Sequence, residues 1–155
     1  MSDIILEKGE LRILGRRHIA IDAEALCRHL ESCVGKKVAE VILNNHGVRL
    51  GKEQVEYVRA HNPQATVQQV LDVLLHSDRV SGFGMTTIGL PAGKPDPVIV
   101  EVENPAITVT EGAAKALMFS YWAGALSLLL GHEFEVGDAT YDQGKNHLKG
   151  RLTAR

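Results

Sequence analysis

The chain has 155 residues and a formal charge of −2. That length suits one domain, residues 1–155, able to bury about 68–70% of its unfolded surface without a metal or disulfide staple. The weak negative charge excludes a broad nucleic-acid footprint, which needs clustered Lys and Arg to displace counterions. Arg12, Arg16, Arg17 and His18 form too short a basic cluster and read as a solvated strand end.

Residues 1–8 lack the basic start and long apolar core of a signal peptide. Residues 11–14 and 18–21 read as short strands around Gly15. Asp22 then caps a helix running to Val34, with Glu24 near its positive end and Gly35 as its stop. Leu26, Cys27, Leu30, Cys33 and Val34 are expected on its apolar face. Cys27 and Cys33, the sole cysteines, point in different directions on a helix, so a disulfide between them is excluded. Two free thiols fit a reducing compartment, and the protein is expected to be cytoplasmic.

From residue 36 to 62 the pattern is helical again, through Val38, Val41, Ile42, Val55 and Val58. Gly47 and Gly51 bracket Val48-Arg49-Leu50 and predict a break between two shorter helices, closed by Pro63. Thr66-Val67-Gln68-Gln69 has capping-box spacing, and Val67, Val70, Leu71, Val73, Leu74 and Leu75 continue as an apolar helix to near Ser77. Strands are predicted over residues 83–90, 98–102 and 106–110, with a proline-rich turn at 91–97. Val98, Val100 and Val102 alternate with Ile99, Glu101 and Glu103, the period of a sheet with one wet face. Residues 113–131 are apolar apart from Lys115 and hold the sole Trp. A helix apolar on nearly every side must be buried on nearly every side. A membrane span is disfavoured by its Gly, Ser, Tyr and Trp content. Residues 133–141 and 147–153 close the chain as a hairpin. The expected fold is α+β, an antiparallel sheet with helices mainly on one face.

This order resembles the 4-vinyl reductase, or hydrocarbon-binding, domain family, of the superfamily that includes TRAPP subunits and phenol-sensor domains. The matching residues are Arg12-Ile13-Leu14-Gly15-Arg16, Leu30-Glu31 before Val34-Gly35, Gly47 to Gly51, and Gly82-Phe83-Gly84. Tyr121 to Gly124, Leu130-Gly131 and the hairpin from Asp138 to Gly144 follow. The resemblance implies a small hydrophobic guest held between helices and sheet, and a homodimer. It also implies a zinc site of one acidic residue and three cysteines near the C-terminus. No cysteine follows Cys33 here, so that zinc is expected to be absent and no cofactor is expected. His132, Asp138 and His147, or His29 with Cys33 one turn away, are weak metal candidates, each set short of four ligands.

The histidines have plainer roles. His46, His61 and His76 each precede an expected helix break or end, where imidazolium complements the dipole. No nucleophile, phosphate-loop or dinucleotide motif occurs, and Ser120 lacks a nucleophile frame. A pocket needs less: an apolar wall and a few orienting polar groups. Met118, Phe119, Leu71, Leu74, Phe83 and Met85 are candidates for the wall, and Tyr121 and Trp122 for orientation. The leading expectation is a sensor, carrier or regulator domain that binds a small aromatic or hydrophobic molecule without catalysis of its own. Two alternatives stand beside it: an enzyme or subunit acting on a tetrapyrrole-like substrate, and a dimeric assembly module whose cavity is filled by side chains.

Overall fold

The computed structural model describes residues 22–90, 97–106, 112 and 115–155, together with the backbone of three short strands between residues 4 and 18. These strands, β1 (Ile4–Glu7), β2 (Glu10–Ile13) and β3 (Arg16–His18), form an antiparallel meander in that order. The sequence suggests β2, while the strand expected over residues 18–21 meets β3 only at its last residue, His18. It does not suggest β1, because a run as short as Ile4-Ile5-Leu6 carries no period that separates strand from helix. Gly15, residues 19–21 and the side chains of Arg12, Arg16, Arg17 and His18 lie outside the described residues.

Helix α1 (Ala23–Val34) begins where its cap demands, with the Ala25 N–H donating to Asp22 Oδ1 at 2.9 Å. It ends at Gly35, whose φ of +81° suits a residue without Cβ. Its buried face is narrower than expected. Cys27 is buried and Leu30 half-buried, while Leu26, Cys33 and Val34 are exposed. Helix α2 (Lys36–His61) corrects the expected break, since it runs unbroken for 26 residues. Gly47 and Gly51 each cost the helix about 1 kcal/mol relative to Ala. They are there because another helix lies against them. His61 does close α2, with Nδ1 2.8 Å from the Tyr57 carbonyl. His46 sits in mid-helix, so the dipole explanation does not extend to it.

Helix α3 (Val67–Ser81) carries the expected capping box. The Gln69 N–H donates to Thr66 Oγ1 at 3.2 Å, and the Thr66 N–H donates to Gln69 Oε1 at 2.9 Å. It continues past Ser77 to the left-handed Gly82, which leaves His76 inside the helix and places Asp78 in its last turn.

A four-stranded antiparallel sheet follows, built from β4 (Met85–Gly89), β5 (Val98–Glu103), β6 (Phe134–Asp142) and β7 (His147–Ala154) in the order β4-β5-β7-β6. Val98, Val100 and Val102 all face inward, as their alternation predicts. Glu101 faces outward and pairs with Lys149, which holds its carboxyl below the usual range. The expected turn at 91–97 and strand at 106–110 fall largely outside the described residues.

A π-helical turn (Lys115–Phe119) leads into α4 (Ser120–Leu130), which stops at the left-handed Gly131. Residues 120–127 and Leu129 are all buried, as the apolar composition requires. Helix α4 packs along α2, and the turn before it packs against β6 and β7. The Phe119 ring covers Gly150 of β7, where a Cβ would fall 2.5 Å from ring carbons. The fold is α+β with a C-terminal hairpin. No helix among the described residues is long and apolar enough to cross a membrane.

Candidate functional site

Helix α4 has two unlike flanks. On one, Gly124 meets the backbone of Val48 in α2, while Gly51 meets the Tyr121 carbonyl and Gly47 that of Leu117. Three glycines let two backbones touch, and nothing intervenes. The opposite flank is set by Trp122, about 200° around the helix from Gly124 at 100° per residue. There the surroundings are apolar, with Leu71, Leu74, Met118, Phe119 and Leu126 in the same buried cluster.

Into this apolar region α3 places a carboxylate. Asp78 is 5% exposed. The Thr86 hydroxyl of β4 donates to Asp78 Oδ2 at 2.8 Å, and the Trp122 indole N–H donates to the same oxygen at 3.1 Å. Oδ1 accepts no hydrogen bond among the described residues. Burial pushes the Asp78 pKa up to about 7, against the opposing pull of the two hydrogen bonds. An ordinary structural aspartate is ionised and wet, whereas this one is dry and divided between two protonation states at neutral pH.

Tyr121 belongs to the same cluster. Its ring meets that of Trp122 edge-to-face, with centroids 5.2 Å apart. Its side chain is buried, and its hydroxyl has no hydrogen-bond partner among the described residues. Burial first, and then the charge of Asp78, hold its pKa well above the usual tyrosine range, so it keeps its proton. A buried polar group without a partner costs about 1–3 kcal/mol. Asp78 Oδ1 and Tyr121 Oη are two such groups within one cluster.

Of the eight residues expected to hold a ligand, Leu71, Leu74, Met118, Phe119, Tyr121 and Trp122 are brought together in the core, with Phe83 half-buried against it. Met85 is not brought in. It is 42% exposed, because strand alternation turns Thr86 inward and Met85 outward. Asp78 and Thr86 were missed by the sequence reading. The one available signal was an acidic residue on the apolar stripe Val67, Val70, Leu71, Leu74, four positions after Leu74.

The metal candidates do not assemble. His132 lies before β6, and His147 lies across the far end of the hairpin, where it pairs with Asp142 and faces Glu101 at 4.0 Å. His29 Nε2 is 3.6 Å from Cys33 Sγ, on an exposed surface. Among the described residues no three His, Cys, Asp or Glu side chains converge. Ser120 donates to Asn44 of α2, which gives it a structural role. Two open grooves bounded by described residues lie elsewhere, one along Lys37, Glu40, Asn44 and Lys115, the other along Val48, Glu133 and Arg155.

No protein-family model and no curated protein matches the chain. Solved structures do. The phenol-responsive sensory domain of the transcription activator PoxR, solved with phenol, is similar over 98% of this chain and 85% of that one, at 13% identity and a TM-score of 0.71. A Cs H-NOX variant carrying 4-cyano-L-phenylalanine is similar over 91% and 77%, at 15% identity and a TM-score of 0.55. A vinyl-4-reductase family protein from Methanocaldococcus jannaschii is similar over 89% and 99%, at 15% identity and a TM-score of 0.43. A phenol-sensor domain, one of the kinds of domain that the sequence resembles, is thus among the similar folds. At such identities the likeness is one of fold, and the fold of this chain is that of the PoxR sensory domain.

Proposed function

We propose that this domain senses or carries a small aromatic or hydrophobic molecule, without catalysis of its own, as a cytoplasmic homodimer. The observation that carries this reading is the polar cluster of Asp78, Thr86, Trp122 and Tyr121 set in an otherwise apolar core. Apolar walls with a few convergent polar groups and one perturbed carboxyl are what a binding site for such a guest requires. The fold shared with a domain solved with phenol supports the same reading. It needs no resident metal or cofactor.

The homodimer rests on a second surface. Leu26, Val34, Val38, Val41 and Ile42, along the exposed side of α1 and the start of α2, are each at least 40% exposed. Contiguous exposed apolar surface on a globular domain marks an interaction site. A second copy, presenting the same stripe about a twofold axis, is the occupant we assign to it. Free Cys27 and Cys33, the latter exposed, support a reducing compartment.

The test is intrinsic fluorescence of Trp122, the sole tryptophan, titrated with phenol, indole and a short alkane, together with light scattering of the free protein. Saturable quenching by at least one aromatic probe, abolished in Trp122→Leu by direct calorimetry, is the expected result. A dimer mass that falls to monomer in Val38→Lys/Val41→Lys is expected alongside. Absence of saturable binding by all probes contradicts the sensor reading, and a monomer at all concentrations contradicts the dimer.

A further inference from the structure

The exposed side of α1 carries two metal-binding side chains one turn apart. His29 Nε2 lies 3.6 Å from Cys33 Sγ, and both residues are exposed. Without metal this contact is a thiol–imidazole hydrogen bond. Its length is also that of a tetrahedral edge. Zn–S of about 2.3 Å and Zn–N of about 2.0–2.1 Å, at the tetrahedral angle, set two donors about 3.6 Å apart. The spacing therefore fits one zinc ion on both donors with their present rotamers. Soft thiolate together with imidazole is a donor set that suits zinc. A structural zinc site needs four ligands, and among the described residues no third His, Cys, Asp or Glu converges on the pair.

Resting on the homodimer proposed above, we infer that His29 and Cys33 are half of a tetrahedral zinc site, which the same two residues of a second copy complete across the twofold axis. Their position on the helix supports this. At 100° per residue Cys33 falls about 20° from Leu26 around α1, and His29 about 60° from it. The pair thus shares the face of that exposed leucine, part of the stripe assigned to the second copy. The Arg28–Glu24 ion pair lies on the far side of the helix, and Cys27 is turned inward and buried. In an isologous contact, residues near the axis meet their own copies, so a patch with one donor pair brings two together. The charges also balance. Each Cys33 thiol gives its proton to solvent, and two thiolates neutralise Zn²⁺, which suits a site set beside Leu26 and Val34 in an apolar interface.

Titration of the full, reduced and metal-stripped chain with Co²⁺ tests this, since tetrahedral cobalt reports its ligands by colour. The expected result is a near-ultraviolet thiolate-to-cobalt charge-transfer band with intense visible bands, saturating at one cobalt per two chains and bleached by zinc. Cys33→Ser should remove the charge-transfer band, and Cys27→Ala should keep it. His29→Ala should keep it with weaker cobalt binding. The stoichiometry needs no variant and stands if Cys27→Ala fails to fold. By light scattering, zinc at about a hundred times its dissociation constant should lower the apparent dissociation constant of the dimer about a hundredfold. Saturation at one cobalt per chain, a charge-transfer band that survives Cys33→Ser, or a dimer that forms equally well without zinc and shows no cobalt bands overturns the inference. The last of these leaves the dimer itself intact. A monomer at all concentrations, with zinc as well as without it, overturns the dimer reading beneath.

Discussion

The two flanks of α4 use the same helix for opposite ends. Against α2, Gly47, Gly51 and Gly124 remove every side chain that would keep two backbones apart. Against α3 and β4, the same helix presents Trp122 to a buried carboxyl whose second oxygen has no partner among the described residues, and the buried Tyr121 hydroxyl has none among them either. The first flank is as tight as two helices become, and every atom there serves packing. The second accepts a cost of about 1–3 kcal/mol for each unpaired group, which packing alone does not explain. Close backbone packing is concentrated on one side of the helix and buried polar groups on the other.

The sharpest way to break this comparison is to put a side chain into the tight flank. Gly124→Leu would drive its Cβ into the Val48 backbone, which has no rotamer to yield. Overpacking of flexible cores costs about 1–3 kcal/mol, and contact with backbone costs more. Loss of the cooperative thermal transition is expected. A normally melting Gly124→Leu protein would show that the α2–α4 contact is not the fixed wall.

The second prediction concerns the polar flank, where pH replaces mutation. The folded Asp78 titrates near 7 against an ordinary value of 3.8, so the folded state holds the proton more tightly than the unfolded chain. Its contribution is therefore complete below about pH 4, declines as pH rises and is gone above about pH 7. The full shift corresponds to a loss on the order of 4 kcal/mol at 1.36 kcal/mol per unit. Asp78→Asn keeps an acceptor for Thr86 and Trp122 and carries no charge. It should match the parent near pH 4.5 and exceed it at pH 8.5 by several kcal/mol in urea unfolding. A parent whose stability rises over that interval would remove the buried-carboxyl account.

A smaller effect is expected at the end of α4, beyond both flanks. Ser127 donates to the Ala123 carbonyl at 2.7 Å and accepts the buried Phe134 N–H at 2.9 Å, which ties the helix to β6. Ser127→Ala strands that N–H and should cost about 1–3 kcal/mol. No change in stability would mean that the N–H finds water and that this end of the helix is wetter than described.

Much of the fold was legible because local signals were strong. Asp22, Gly35 and the Thr66–Gln69 box mark ends through hydrogen bonds and backbone conformations that only a few residues supply. The Val98-Val100-Val102 alternation marks a sheet face in the same direct way. Gly47 and Gly51 misled because a glycine that breaks a helix and one that admits a neighbouring helix look identical in sequence. The distinction lies in Tyr121 and Leu117, some seventy residues away. The site was half legible for the same reason. Trp122 and Tyr121 stand out by type, whereas Asp78 follows the expected end of its helix near Ser77 and has no motif around it. Only the hydrogen bonds from Thr86 and Trp122 reveal that it is buried.

The side-chain carboxyl carbon of Asp78, followed by isotope-edited NMR from pH 4 to 9 with and without phenol, tests the central claim most directly. A midpoint near 7 in the free protein, displaced when phenol is present, is the predicted result. A midpoint near the ordinary carboxylate value, or one that phenol leaves unmoved, would contradict the assignment of this cluster as the ligand anchor.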